Sequence, residues 1–327
     1  MPHALPAEWE PHERLWIGFP HDAEEWAGHL EAAQREIAAF ANAVVGSGEA
    51  VTLICRDANN LTLAQSLVDP FVQCQIAHYG DIWLRDTGPL VTCAPNGSRR
   101  AQIFRFNGWG GKYCMAGDET IGADLAEMAG LPIDNHDWIL EGGAIDVDGQ
   151  GLGVTTEQCL LNPNRNPHLS REDIETRLRD ALGIERLLWL GEGLINDHTD
   201  GHVDNLARFV APGVLVLPEP SGDDDTNAAI YADAQKRAAA FGVEIITLPS
   251  PGRIEIQGVV QPASHMNFVI GNNAVFLPMY GSDYDDLSIA ALGNIWPDKT
   301  IIPLPASAIL SGGGSLHCAS QPLFSAR

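Results

Sequence analysis

The order of predicted elements recurs along the chain, and this recurrence constrains the fold more than any other feature. Four turn sequences each lie between two strand-like runs, which is the pattern of a β-hairpin. They are Asn96-Gly97, Asp148-Gly149, Pro212-Gly213 and Asn272-Asn273. A helix-like stretch and one more short apolar strand follow each hairpin. The sequence therefore predicts four copies of a unit made of two strands, a helix and a strand.

The helices of these four units are expected near residues 119–130, 170–183, 225–242 and 285–295. The second begins at Ser170, and the acid three residues later, Asp173, is typical of a capping box. The closing strands are predicted at residues 138–140, 186–190, 243–247 and 300–304.

The two ends of the chain supply a fifth copy. Residues 15–19 lead to a helix near 29–47 and then to a strand at 51–55, while the missing strand comes from the C-terminal run around Cys318. A chain whose last strand completes its first unit forms a closed ring, which would bring equivalent loops to one central axis. The alternative is an ordinary α+β fold with several hairpins.

Composition narrows the class of partner. The 327 residues can bury a large core, and no linker divides them, which predicts a single catalytic domain over residues 1–327. With 19 Lys+Arg against 43 Asp+Glu, the formal charge is −24. Nucleic acids and anionic membranes would be repelled, whereas a small cation would be attracted. The acidity could also serve solubility alone. No membrane-length apolar run and no secretory signal are visible, which favours the cytoplasm.

Polar residues and glycines follow the predicted strands at residues 81–89, 106–111, 140–143, 196–205 and 312–318. In the fourth group, His202 and Asp204 would share one face if the run is a strand. An imidazole beside a carboxylate suits a proton-transfer group next to an anion that holds a cation.

Cys318 follows three glycines, which permit a loop that presents the thiol. The alternative is a buried structural cysteine. Together with the distant His202 it forms a candidate pair of nucleophile and proton-transfer partner. Glu141 lies between an apolar strand and two glycines and would need a partner if buried, for which His202 is suited. Asp86 follows Arg85 and could equally serve an ion pair or a turn.

The fourth group could instead bind a metal ion. It offers carboxylate and imidazole ligands at Asp197, His198, Asp200, His202 and Asp204. A metal-dependent hydrolase is therefore an alternative, although it leaves Cys318 and its glycine run without a role.

Taken in order, the motifs resemble those of the agmatine deiminases and the related bacterial peptidylarginine-deiminase-like proteins of the guanidino-group-modifying superfamily. The resemblance is carried by residues 6–13, 83–89, 106–111, 140–143, 159–167, 200–205 and 312–318. It implies an α/β fold, a five-bladed α/β propeller (pentein) of ββαβ-like units with pseudo-fivefold symmetry.

The resemblance also implies a role for each site residue. Cys318 would be the nucleophile and His202 the general acid and base, paired with Glu141, while Asp86 and Asp204 would hold the guanidinium group. The implied reaction converts agmatine and water into N-carbamoylputrescine and ammonia through a covalent S-alkylthiouronium. No metal ion and no cofactor is expected, and the formation of a homo-oligomer is left open.

Trp83 and Trp109 are expected to flank the substrate, although core packing would explain them equally well. The chain departs from typical agmatine deiminases at residues 110–115 and 319–322, near the region expected to contact the substrate tail. Free or peptidyl arginine therefore remains an alternative substrate. An amidinotransferase and a catalytically silent guanidino-binding protein are further alternatives.

Overall fold

The computed structural model describes residues 3–26 and 28–326. The strands in this part are β1 (His12–Gly18), β2 (Val51–Cys55), β3 (Gln73–Ile76), β4 (Leu90–Cys93), β5 (Arg99–Arg105), β6 (Ile133–Ile139), β7 (Ile145–Val147), β8 (Leu152–Thr156), β9 (Arg186–Leu190), β10 (Arg208–Ala211), β11 (Val214–Glu219), β12 (Glu244–Pro249), β13 (Glu255–Ile256), β14 (Val259–Val260), β15 (Val269–Ile270), β16 (Ala274–Met279), β17 (Thr300–Pro305) and β18 (Ser320–Phe324).

The α-helices of the described residues are α1 (Leu30–Gly46), α2 (Ala58–Leu67), α3 (Leu84–Thr87), α4 (Gly108–Gly111), α5 (Ile121–Met128), α6 (Glu157–Leu160), α7 (Arg171–Leu182), α8 (Ala228–Phe241), α9 (Asp285–Ile295) and α10 (Ser307–Leu310). Short 3-10 helices lie at Ala23–Trp26, Gly142–Ala144, Val203–Asn205 and His265–Asn267.

Five small sheets repeat one strand pattern. In blade 2 (β4–β6), blade 3 (β7–β9), blade 4 (β10–β12) and blade 5 (β15–β17), an antiparallel hairpin is followed by a helix and a third, parallel strand. The four predicted hairpin turns and the predicted unit are confirmed. The fold is thus a five-bladed α/β propeller, with β13 and β14 forming a separate small hairpin.

Blade 1 closes the ring. Strand β1 pairs antiparallel with β18 and parallel with β2, so the first unit is completed by the C-terminal strand, as predicted. This blade has a fourth strand, β3, which follows helix α2 and which the sequence pattern did not indicate. The helix that leads to β3 was not predicted either. Only Asn60 and Ala64 of α2 are buried, and its sequence lacks the apolar stripe that identifies a helix packed on a core.

The predicted helices of the repeat are confirmed as α1, α5, α7, α8 and α9. Helix α7 begins with the predicted capping box, in which the Ser170 hydroxyl accepts from the Asp173 backbone N–H and the Asp173 carboxylate accepts from the Ser170 N–H. It ends at Gly183, whose φ of 72° is the left-handed conformation that favours glycine. No helix in the described ranges is long and apolar enough to cross a membrane.

One short segment directly precedes the first strand of every blade, and these segments contact one another. They are α3 before β4, Gly142–Ala144 before β7, Val203–Asn205 before β10, His265–Asn267 before β15, and residues 315–319 before β18. The apolar cores lie farther out, between sheets and helices. Closing the ring therefore brings polar residues from five distant parts of the chain together.

Candidate active site

A cavity of about 230 Å³ opens beside two of these segments, at Asp86 of α3 and at Cys318. The aromatic side chains of Trp83, Trp109 and Tyr113 form part of its wall, and Asp86 and Cys318 also border it. Because Cys318 is only 6% exposed, a small molecule reaches its thiol through this cavity.

The Cys318 thiol lies between an amide and a carboxylate. Its Sγ accepts a hydrogen bond from Asn267 Nδ2 at 3.1 Å and lies 3.5 Å from Asp204 Oδ2. Burial, joined by the charges of Asp204 and Asp86, raises the pKa of this thiol well above its ordinary value. The backbone of Ser315 and the Asn267 amide oppose that shift. The thiol is therefore protonated in the empty site, and a cation bound beside it would promote its ionisation.

Two buried carboxylates stand beside the thiol. Asp86 Oδ2 accepts from Trp109 Nε1 at 2.9 Å, and its Oδ1 accepts from the Gly143 N–H at 3.0 Å. Asp204 Oδ2 accepts from His317 Nδ1 at 2.7 Å, whereas its Oδ1 is buried and has no hydrogen-bond partner among the described residues. A buried oxygen without a partner costs free energy, so Asp204 Oδ1 has an unused capacity to accept a hydrogen bond.

The pKa values of these two acids shift in opposite directions. Burial and the neighbouring Asp204 raise the pKa of Asp86, while His202 and Trp109 act in the opposite direction. Burial alone would also raise the pKa of Asp204, but the hydrogen bond and charge of His317 bring it below its ordinary value. Asp204 is therefore firmly ionised, and Asp86 is the acid that gains more from the arrival of a cation.

The structure gives Glu141 a different partner from the expected His202. Glu141 Oε1 accepts from Arg165 Nε at 2.6 Å, and within the described residues no hydrogen bond or ion pair joins it to His202. The imidazole instead has its Nδ1 3.6 Å from Asp86 Oδ1. Glu141, Cys159 and His202 still lie close, with one ligand atom of each within 4.8 Å of the others. Arg165 forms the ion pair with Glu141 because its own buried guanidinium group requires an anionic partner.

The surroundings of His202 favour the protonated form of its imidazole. Burial alone would lower the pKa of its imidazole, but the charge of Asp86, the neighbouring Cys159 thiol and the charge of Glu141 raise it well above the ordinary value. Among the described residues, neither ring nitrogen lies within hydrogen-bond distance of a nitrogen or oxygen partner, and the Cys159 thiol is a close neighbour. A buried imidazolium with free N–H groups is suited to donating a proton into the site.

The segment that carries His202 and Asp204 is not a strand, so the condition under which the two residues would share a strand face is not met. Val203–Asn205 form a 3-10 helix that begins after His202. Just before it, Asp200 has a φ of 65° and Gly201 a φ of 83°, so the backbone there does not adopt the β conformation. Both side chains nevertheless reach one point, because a Cβ added at Gly143 would lie 2.7 Å from His202 Nδ1 and 3.2 Å from Asp204 Oδ2.

Trp83 and Trp109, which were expected to flank a substrate, both border the cavity. Trp109 has a φ of 51°, which is rare for a residue other than glycine, and its indole N–H is held by Asp86. Trp83 packs against Trp26 with ring centroids 6.0 Å apart. The two side chains therefore combine packing inside the protein with a face towards the cavity.

The residues considered as a metal cluster do not meet at one point. Asp200 is engaged by Lys112 Nζ and Arg165 Nη1, each at 2.6 Å, and His198 is exposed. In residues 3–26 and 28–326, the group close enough to hold a metal ion consists of Glu141, Cys159 and His202. The metal-dependent alternative therefore lacks the ligand set that motivated it.

Four residues that were not selected from the sequence complete the site. They are Glu8, Arg165, Asn267 and His317. Asn267 directly precedes the first strand of blade 5, as Asp86 and Asp204 precede theirs, so the repeat could have indicated it. Glu8 and Arg165 lie in motifs that carry the resemblance, but nothing in the local sequence shows that they are buried.

Comparisons with known proteins agree with this geometry. The profile of a family described as Porphyromonas-type peptidyl-arginine deiminase matches residues 4–323. An agmatine deiminase of Pseudomonas aeruginosa is 36% identical over 349 residues, which cover 97% of this chain and 94% of the relative. The solved agmatine deiminase of Enterococcus faecalis superposes with a TM-score of 0.94 at 28% identity, over 99% of this chain and 96% of that one. An agmatine deiminase of C. jejuni, a Cys-to-Ser variant with substrate bound, gives 0.91 at 30% identity, over 99% and 97%.

Proposed function

The chain belongs to the Porphyromonas-type peptidyl-arginine deiminase family, and we propose that it hydrolyses the guanidinium group of agmatine to give N-carbamoylputrescine and ammonia. The observation that carries this proposal is the Cys318 thiol at a cavity that Asp86 also borders, 3.5 Å from Asp204 Oδ2. A guanidinium ion is a planar cation whose N–H groups pair with carboxylates through charge-assisted hydrogen bonds. The named agmatine deiminases among its relatives support the same activity.

Substrate binding would supply the positive charge that the empty site lacks. Asp204 offers an ionised carboxylate with a free Oδ1, and Asp86 offers a second carboxyl group whose pKa a bound cation would lower. Gripped by both, the guanidinium is held in one plane with its central carbon next to the sulfur of Cys318. This positioning removes translational and rotational freedom before the chemical step.

The same cation would activate the nucleophile. The pKa of the Cys318 thiol is raised by burial and by two neighbouring carboxylates, so the empty site holds the unreactive thiol. A guanidinium bound between those carboxylates cancels their effect on the thiol. The thiol would thus lose its proton to solvent chiefly when substrate is present, and the attack of the resulting thiolate on the guanidinium carbon forms the C–S bond.

His202 would carry the protons of both half-reactions. In the first, the imidazolium donates a proton to the departing nitrogen, the C–N bond breaks, and ammonia leaves an S-alkylthiouronium on Cys318. In the second, the neutral imidazole takes a proton from water, whose oxygen attacks the same carbon. The hydroxyl group of this adduct then loses its proton to solvent as the C–S bond breaks, which returns the thiolate and releases the ureido product. General acid–base help of this kind contributes about 10²–10⁴-fold in rate.

The cavity favours a substrate with a cationic tail. Away from Cys318 its wall carries Glu24, Glu25 and Asp81, and it includes no Lys or Arg among the described residues. Agmatine ends in an ammonium group, which these acids would attract. Free arginine carries the same ammonium group and, on the same carbon, a carboxylate, which these acids would repel. This contrast favours agmatine over free arginine.

An ammonia-release assay tests the proposal, with agmatine, arginine and short arginine peptides as substrates. We expect agmatine to be turned over fastest, and we expect Cys318→Ala to release no ammonia while Cys74→Ala, at a partly buried cysteine in β3, behaves as the parent. Parent-like turnover by the Cys318→Ala variant would refute the mechanism.

Two added arms separate the alternatives. A chelator should leave the rate unchanged, because the proposed chemistry needs no metal ion. An amidinotransferase would instead release little ammonia and would transfer the amidino group to an added amine, such as glycine, which mass spectrometry detects.

A further inference from the structure

The N-terminal motif at residues 6–13 has no part in the chemistry proposed above, yet one of its acids lies beneath the site. Glu8 precedes β1 and is only 7% exposed. Its Oε2 lies 2.9 Å from Arg208 Nη2 and 3.1 Å from Arg85 Nη2, and its Oε1 accepts from the Ile270 N–H at 2.8 Å. Contacts from blades 4 and 5 and from the segment before blade 2 thus fix this carboxylate.

His317 connects Glu8 to the site. Its Nε2 lies 2.8 Å from Glu8 Oε2, its Nδ1 lies 2.7 Å from Asp204 Oδ2, and the side chain is 2% exposed. Ionised carboxylates only accept hydrogen bonds, so a ring that satisfies both must donate from both nitrogens. Burial would raise the pKa of Glu8, but Arg208, His317 and Arg85 hold it well below its ordinary value. With Asp204 also ionised, the ring lies between two carboxylates, one at each nitrogen.

We propose that Glu8 and His317 form a positioning relay that orients Asp204 and, through it, the guanidinium group of the substrate. The relay uses Oδ2 of Asp204 and leaves Oδ1 free for a substrate N–H. This inference rests on the proposed function, because it assigns the relay to the binding of that substrate. Neither Glu8 nor His317 touches the reacting atoms.

The relay acts on Asp204 rather than on the nucleophile next to His317 in sequence. The backbone there is held by groups other than the ring: the His317 N–H donates to Asn267 Oδ1 at 2.9 Å, and the Arg85 N–H donates to the Cys318 carbonyl at 3.0 Å. Removing the imidazole therefore leaves the thiol in place. It deprives Asp204 of a charge-assisted hydrogen bond and of its fixed orientation.

Loss of the relay should weaken substrate binding more than the chemical step. Asp204 holds the cation before the C–S bond forms as well as during its formation, and such uniform binding affects KM rather than kcat. A purely structural role for His317 would instead lower the amount of folded enzyme and leave the KM of the remainder unchanged.

The test uses Cys318→Ser as a non-reactive parent and measures agmatine affinity by calorimetry. Adding His317→Ala should weaken binding about tenfold or more, which is the effect of losing a hydrogen bond to a charged group. The matched control is His265→Ala: this ring is also buried and bonded at both nitrogens, to Pro249 O at 2.9 Å and Asp285 Oδ1 at 2.8 Å. It should bind agmatine as the parent does.

A second variant guards against a failure of His317→Ala to fold. Glu8→Gln keeps an acceptor for His317 but removes the charge, and we expect about threefold weaker binding because neutral hydrogen bonds are roughly half as strong. Parent-like agmatine affinity in folded His317→Ala or Glu8→Gln protein would overturn the relay. So would a lower kcat at unchanged KM when the same substitutions are made in enzyme that retains Cys318. If the Cys318→Ser parent binds no agmatine at all, the proposed function itself fails, and the relay fails with it.

Discussion

Gly143 lies at the point where three proposed catalytic groups meet, so adding one methyl group there tests the site directly. A Cβ at this position would lie 2.7 Å from His202 Nδ1, 2.8 Å from Asp86 Oδ1 and 3.2 Å from Asp204 Oδ2. The residue belongs to the 3-10 helix Gly142–Ala144, a backbone conformation that alanine adopts without strain. Any effect of Gly143→Ala therefore comes from these contacts.

The magnitude follows from the distances. Ordinary contacts of a methyl carbon with nitrogen or oxygen are about 3.4 Å, so His202 and Asp86 must each retreat by about 0.6–0.7 Å. A misplacement of about 1 Å in a catalytic group costs on the order of 10²-fold in rate, and here two groups move. We expect kcat/KM for agmatine to fall by about 10²-fold or more. Overpacking should lower the free energy of unfolding by only about 1–3 kcal/mol.

The assay measures ammonia release per mole of folded enzyme, with folding monitored by circular dichroism and thermal melting. The matched control is Gly293→Ala in helix α9, where an added Cβ meets nothing within 4 Å; it should keep full activity and gain a little stability, since alanine favours helix. If folded Gly143→Ala protein retained parent-like kcat/KM, the three groups would not act together as argued here.

Three other expected outcomes concern charge. Arg165→Met leaves the buried Glu141 carboxylate without its cation and should lower the free energy of unfolding, measured by urea titration, by about 3–5 kcal/mol. The control Arg253→Met removes a half-exposed ion pair and should lower it by less than about 1 kcal/mol. Equal losses in the two variants would contradict this expectation. Glu25→Gln should raise the KM for agmatine about two- to fivefold at constant kcat, and a change in kcat alone would count against a tail contact. Burial raises the pKa of Asp81 to about 7. Between about pH 4 and pH 7 the folded state therefore retains a proton that the unfolded chain has lost, and the free energy of unfolding falls as the pH rises through this range. The free energy of unfolding of Asp81→Asn, minus that of the parent, should therefore increase between about pH 5 and 7. A difference that does not change with pH would refute this expectation.

The repeat could be predicted because its signals are local. A turn sequence between two apolar runs predicts a hairpin without knowledge of the rest of the chain, and all four hairpins are observed. The capping box at Ser170 is equally local and is observed. Ring closure was predictable because the chain ends hold complementary parts of one unit, and β1 does pair with β18.

What could not be predicted is pairing between charged groups that are separated along the chain. The sequence suggested that Glu141 would need a partner, but nothing local indicated that Arg165, 24 positions later, would pair with it instead of His202. Glu8 and His317 lie 309 positions apart and meet only in the closed ring. Helix α2 was not predicted for a different reason. It lies at the surface with few buried residues, so its sequence lacks the apolar periodicity from which helices are recognised.

The pairing of the buried acids distinguishes those that are proposed to bind the substrate from Glu141. Glu141 is neutralised by the guanidinium of Arg165. Asp86 and Asp204 have no Lys or Arg within 4 Å among the described residues; their ion-pair partners there are His202 and His317, respectively. Burying carboxylates without full compensation is costly, and the fold tolerates the deficit only where the cavity admits a cation from outside. A guanidinium ion supplies both the missing charge and the N–H groups that these oxygens lack, so the imbalance that destabilises the empty site becomes affinity for the substrate.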